Sequence, residues 1–266
     1  MPGILVRIFV CLIGCAIASQ RASAQVIPVP LGDSSAPPTL TFYWEGIDSR
    51  ALLVLIPGGQ GRINLDLAQK DVQNDFYQTL KQLSLGSNPK EKFDVVLFSS
   101  PELLGNNPKG YPSDRATNDH MSRIHSVIKF YKEKTQKPVW LMGHSNGSIS
   151  VTEYQRYEAK LGQPSQIFGI IISGARNVAF FDSNPLNLPI LFLHHQKDGC
   201  AITDPGVSLA KSKKVQDANK APTPFIYIET GNAEAKNPCE SGYHMYKDAR
   251  PEVVTALRNF MVPLNP

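Results

Sequence analysis

Apolar positions alternate along the chain between two periods. Short continuous apolar runs read as buried strands at 39–46, 51–57, 93–101, 138–145, 167–174, 189–195 and 224–230. Between them lie stretches with apolar residues at helical spacing. In residues 66–85, Leu67, Val72, Phe76, Leu80 and Leu83 share one face. In residues 114–135, Ile124, Val127, Ile128 and Tyr131 do the same. Further helices are expected over 146–161, 204–217 and 249–261. Runs too apolar to alternate must be covered on both faces. Strands of that kind alternating with amphipathic helices imply one α/β domain, a doubly wound, mostly parallel central sheet with right-handed crossovers. That domain is expected over 39–266, with the proline-rich segment 25–38 as an extended lead-in.

The first 24 residues stand apart. Arg7 precedes an apolar stretch from Ile8 to Ala18, and Ala22-Ser23-Ala24 supplies the small residues of a cleavage site. This pattern predicts a secretory signal peptide cut after Ala24, hence a secreted or periplasmic protein. The apolar core is short for a membrane span. A lipoprotein anchored at Cys15, within Leu12-Ile13-Gly14-Cys15, is the minor alternative. Without Arg7 and Arg21 the chain carries 25 Lys and Arg against 23 Asp and Glu. That near balance, with no long basic run, argues against nucleic acid as a partner. Four cysteines occur: Cys11 and Cys15 lie in the leader, so Cys200 and Cys239 are expected to form a disulfide. No metal-ligand spacing appears, and neither a metal nor a cofactor is expected.

The chemistry concentrates in Gly143-His144-Ser145-Asn146-Gly147, at the end of an apolar strand and the start of a helix. A serine on such a strained turn projects its hydroxyl beyond the sheet, and flanking side chains would strike neighbouring backbone. The helix N-terminus behind it favours developing negative charge. A serine hydroxyl needs a base to take its proton, and that base needs an orienting carboxylate. The fold that carries this turn supplies them in the order serine, acid, histidine. After Ser145 only His194, His195 and His244 remain. Asp198 follows the strand at 189–195, and His244 lies in the loop after the last strand. Glu229 is a rival acid. Cys200 and Cys239 would tie the acid loop to the histidine loop. Two backbone amides should form an oxyanion hole: Asn146, and Gly59 or Gln60 in the turn Pro57-Gly58-Gly59-Gln60-Gly61. His195 and Glu102 are candidates to line the substrate site. His144 and His194 read as packing groups, and His120 and His125 as surface or interface residues of a helix.

These motifs resemble the α/β-hydrolase fold superfamily, over roughly residues 40–262. GHSNG matches the family's nucleophile elbow. HHQKDGC resembles its HGxxD acid loop, with His195 where glycine is usual. PGGQG resembles its oxyanion turn, with Pro57 in place of histidine. The resemblance implies Ser145 as nucleophile, His244 as general base then acid, and Asp198 as orienting carboxylate. Only about 14 residues separate the strands around Gly174 and Pro189, where such proteins insert a cap, so an open site for small or exposed esters is expected. An amidase or peptidase on the same residues, or a binding protein without catalysis, is the alternative. No GxGxxG follows an early strand, which disfavours a dinucleotide-dependent oxidoreductase.

Overall fold

The computed structural model describes residues 24–32, 35–63, 75–86, 88–105, 110–181, 186–231 and 236–265. The expected signal peptide, with Cys11 and Cys15, lies outside the described residues except for Ala24, as does most of the first half of the helix expected at 66–85.

Eight strands form one sheet in the order β1-β2-β4-β3-β5-β6-β7-β8. They are β1 (Ala24–Val29), β2 (Thr39–Trp44), β3 (Ala51–Ile56), β4 (Phe93–Ser99), β5 (Val139–His144), β6 (Gly169–Ser173), β7 (Ile190–His195) and β8 (Phe225–Ile228). From β4 through β3 and on to β8 all pairings are parallel. β1 and β2 add antiparallel pairings at one edge. The lead-in is therefore not a free extension: its first half is an edge strand, with Pro28 opposite Leu40. Proline is tolerated at an edge, where one side of the strand pairs with nothing. Only Val29 of β1 is buried, so the strand left little hydrophobic pattern to read.

The helices are α1 (Asp75–Lys81), α2 (Asn118–Thr135), α3 (Asn146–Lys160), α4 (Pro205–Ala218) and α5 (Arg250–Met261). They divide between the two faces, and the strand residues divide with them. Leu53 and Leu55 of β3 pack with Phe76 and Leu80 of α1 and Leu257 of α5. Leu52, Val54 and Ile56 pack on the other face with Ile124 and Val127 of α2 and Val151 of α3. Each such fully buried aliphatic side chain contributes roughly 1.5–3 kcal/mol. The period of two is invisible in the composition of β3, because both faces demand apolar residues.

Local signals set the helix ends. Thr117 caps α2 by accepting from the His120 amide, and Gln136 ends it in the left-handed region. Asp204 caps α4, with Pro205 at the first helical position. At the amino end of β4, buried Asp94 accepts from the Gly46 amide at 2.9 Å, Ser49 Oγ at 2.6 Å, Tyr43 Oη at 3.0 Å and Lys137 Nζ at 2.7 Å. This anchor fastens the end of the sheet opposite the loops that follow β3, β4, β5, β6, β7 and β8. In a sheet of this kind, ligands sit at the carboxyl ends of the strands.

Candidate active site

β5 ends at His144 and α3 begins at Asn146, so Ser145 makes the whole connection. Its backbone sits at φ 53° and ψ −122°, a conformation L-residues rarely adopt. Two glycines make the turn possible. A side chain on Gly143 would run into the Gly147 carbonyl, and one on Gly147 into the carbonyl of Ile56. The clearance belongs to the backbone crossing, since β5, the turn and the end of β3 pass within van der Waals contact. The Ser145 amide donates to Ser173 O at 3.0 Å, and Ser148 Oγ donates to Ser145 O at 2.6 Å. Ser145 remains half-buried beneath the loops.

Asp198 sits in the turn after β7, its carboxylate almost fully enclosed. Oδ1 accepts from the Cys200 amide at 2.9 Å. Oδ2 accepts from His244 Nδ1 at 2.8 Å, His194 Nε2 at 3.0 Å and Thr203 Oγ1 at 3.1 Å. A carboxylate only accepts, so each imidazole presents an N–H to it. That assignment leaves the lone pair of His244 on Nε2, a buried atom with no hydrogen-bond partner among the described residues. Burial alone would raise the Asp198 carboxyl. The hydrogen bonds from His194 and His244 outweigh it and hold the group well below the ordinary carboxylate range.

His244 lies in a 3-10 turn, Gly242–Met245, and its ring stacks 4.9 Å from that of His144. His144, the residue before Ser145, thus packs its ring against the imidazole of His244. Its Nδ1 is 3.1 Å from Ser173 Oγ, which is 2.9 Å from Tyr246 Oη; Tyr246 donates to Leu193 O at 3.0 Å. With the tyrosine proton committed, Ser173 donates to Tyr246 and His144 donates from Nδ1. Enclosure and the neighbouring His244 push His144 well below the usual histidine range, so it stays neutral.

Cys200 and Cys239 are disulfide-bonded, with Cα atoms 4.6 Å apart. The bridge joins the Asp198 turn to the segment leading into His244. Asn146 is buried, and its Nδ2 donates to Gly59 O at 2.9 Å. Gly59 and Gln60 are exposed in the turn after β3. Gly58, which the sequence did not single out, lies closest to Ser145: a Cβ built on it would sit 2.8 Å from Ser145 Cβ.

One expected substrate contact differs from the sequence reading. His195 is 1% exposed. Its Nε2 bonds Thr230 O at 2.8 Å, its Nδ1 accepts from the Lys197 amide at 3.0 Å, and its ring stacks on Tyr243. Both nitrogens are used inside the protein, so it packs the wall and does not reach a substrate. Glu102 is exposed on the turn after β4, at the carboxyl end of the sheet. The rival acid Glu229 is exposed as well, its amide donating to Glu252. His120 is buried against Ser150 of α3, the interface position of the two the sequence left open. His194, expected only to pack, is a hydrogen-bond donor to Asp198. Arg115, Arg176, Thr203 and Tyr246 carried no signal in the sequence; each meets its partners only through the fold. No group of three or more His, Cys, Asp or Glu side chains suited to a metal ion occurs among the described residues.

No protein-family model matches the chain, and comparison with curated proteins finds no match. Solved structures do resemble it. A serine hydrolase without a lid from Xanthomonas campestris aligns with a TM-score of 0.58 at 13% identity, covering 93% of this chain and 96% of that one. A thermostable carboxylesterase from a metagenomic library aligns with a TM-score of 0.60 at 10% identity, covering 92% and 90%. A dienelactone hydrolase from Anabaena variabilis aligns with a TM-score of 0.58 at 11% identity, covering 92% and 99%. At such identities the likeness concerns the fold, and with the strand order above it makes this an α/β-hydrolase fold. Only the residues between Ser173 and Ile190 separate β6 from β7, which leaves no room for a sizeable cap.

Proposed function

We propose that this α/β-hydrolase-fold chain is a secreted serine hydrolase that cleaves carboxylic esters through an acyl-enzyme. One observation carries the reading. His244 donates from Nδ1 to the enclosed Asp198 carboxylate, which leaves Nε2 as a base, while Ser145 occupies a strained turn beside the His144–His244 stack. In the first step Ser145 Oγ attacks the ester carbonyl and His244 Nε2 takes its proton. The oxyanion is held by the Asn146 amide and by amides of the turn 58–60, with the α3 N-terminus behind. Collapse breaks the bond to the alcohol, which leaves with the proton from His244. Water, deprotonated by the same imidazole, then attacks the acyl-enzyme; as the bond to Ser145 Oγ breaks, His244 returns the proton to that oxygen and the acid departs. Asp198 keeps the imidazole in its base tautomer and offsets its charge.

The short connection between β6 and β7 favours small, water-soluble or surface-exposed esters over long acyl chains. Secretion rests on the leader pattern and on the Cys200–Cys239 bridge, which suits an oxidising compartment. Among the described residues no helix is long and apolar enough to cross a membrane. The test is hydrolysis of p-nitrophenyl esters from acetate to palmitate by wild type and Ser145→Ala. Short-chain turnover that disappears in the variant is the expected result. A folded wild type that turns over matched amides but no ester would make it an amidase. Failure to react with a fluorophosphonate would make it a binding protein.

A further inference from the structure

Arg115 is fully buried beneath the turn that follows β3. Its Nη1 donates to Pro57 O at 2.9 Å and to Ser150 Oγ at 3.1 Å. Its Nη2 donates to Gly58 O at 3.2 Å and Gly59 O at 2.9 Å. One guanidinium therefore holds three consecutive carbonyls, and a planar fork with five donors is the side chain able to do so. No carboxylate pairs with it among the described residues. Burial lowers it to about 9, which leaves it cationic at neutral pH.

We propose that Arg115 is a positioning residue for the oxyanion turn, setting three backbone amides and placing a buried positive charge behind them. In a planar trans peptide C=O and N–H point in opposite directions. No peptide bond here is cis. With Pro57, Gly58 and Gly59 carbonyls drawn onto Arg115, the N–H groups of Gly58, Gly59 and Gln60 point away from it. Among the described residues no backbone carbonyl accepts from them. Gly59 takes φ 53°, so successive amides can converge on one concavity, the arrangement that binds anions. Gly58, the first of the three, abuts Ser145. The second clamp is Asn146, whose Nδ2 holds Gly59 O while Arg176 donates to its Oδ1. The amides are thus fixed before any substrate arrives. Preorganised donors of this kind act on charge that develops in the transition state, and so on kcat.

The inference rests on the ester-hydrolase reading for its catalytic consequence, though not for the geometry of the turn. The experiment compares wild type with Arg115→Lys and Arg115→Gln, using p-nitrophenyl acetate and backbone 15N relaxation at Gly58, Gly59 and Gln60. A lysine keeps the charge but cannot hold three carbonyls. We expect kcat to fall about 10- to 100-fold with KM within about threefold, less severely for Lys than for Gln. Order parameters of the three amides should drop from about 0.85 towards 0.6. In Arg115→Ala, millimolar guanidinium ion should restore part of kcat. Unchanged order parameters in folded variants, or a loss confined to KM, would overturn the proposal. Should wild type hydrolyse no ester and resist fluorophosphonate, the hydrolase reading fails. The order parameters still decide whether Arg115 sets the turn.

Discussion

Replacing Asp198 by Asn removes one charge and adds two N–H donors at an almost unchanged volume. The site offers that side chain donors on every side: Cys200 N at Oδ1, and His244, His194 and Thr203 at Oδ2. Whichever way the amide turns, its NH2 group meets a donor. Facing Oδ2, it drives His244 to the tautomer protonated on Nε2, which can no longer accept the Ser145 proton. Facing Oδ1, it strands the Cys200 amide. Hydrogen bonds to a charged group are worth about 1.5–3 kcal/mol each, and a stranded buried donor costs about 1–3 kcal/mol. We expect kcat to fall about 10³- to 10⁴-fold, as a wrongly held tautomer requires. Stability should drop by about 2–4 kcal/mol at neutral pH. The pH dependence has a definite sign. The carboxyl is depressed in the folded state, so its contribution is present above the unfolded value of about 3.9 and is lost as pH falls below it. The gap in urea stability between wild type and Asp198→Asn should therefore be constant from neutral pH down to about pH 5 and close below about pH 4. Steady-state kinetics and urea titrations at several pH values measure both. A folded Asp198→Asn retaining more than about a tenth of wild-type kcat refutes the reasoning, as does a larger loss in Glu229→Gln.

Gly147→Ala should fail to fold or lose Ser145 reactivity towards a fluorophosphonate, because its methyl would meet the carbonyls of Ile56 and Pro57, backbone atoms of the central strand and its turn; a folded, fully reactive variant would contradict the crossing described above. Reduction of the Cys200–Cys239 bridge, which spans 39 positions, should lower stability by about 4 kcal/mol on the chain-entropy account. Equal urea midpoints with and without reductant would speak against that. His120 is held down to about 3 by burial, then by Arg115 and Arg123, so the folded state resists its protonation. The stability it contributes is fully present above its ordinary value of 6.5 and should drain away as pH falls from there towards about 3. His120→Gln, which can keep the bond to Ser150, should flatten the decline in a thermal-unfolding series, and an unaltered slope would remove His120 as its source.

The order of strands and helices was legible in the sequence wherever an element is buried on both faces or carries an amphipathic stripe. β3, β5 and β7 could be read because a doubly covered strand must be continuously apolar. α2 and α5 could be read because each packs a single stripe onto the sheet. β1 could not, since an edge strand with one buried residue leaves no period to find. The elbow was legible for a local reason: its glycines answer to a backbone crossing within a few residues of Ser145. Asp198 and His244 could be named in advance because a serine nucleophile would demand such side chains at strand ends, and the fold joins the two by a hydrogen bond. Tertiary structure alone decided the rest. His195 was turned into the wall by Thr230 and Tyr243, and His194 was turned onto Asp198 by the same strand pleat, which sends neighbouring side chains to opposite faces. Arg115 reached the turn across 58 positions of sequence. No local pattern announces a residue whose partners are backbone carbonyls, because carbonyls are the same at every position and only the fold brings three of them to one guanidinium.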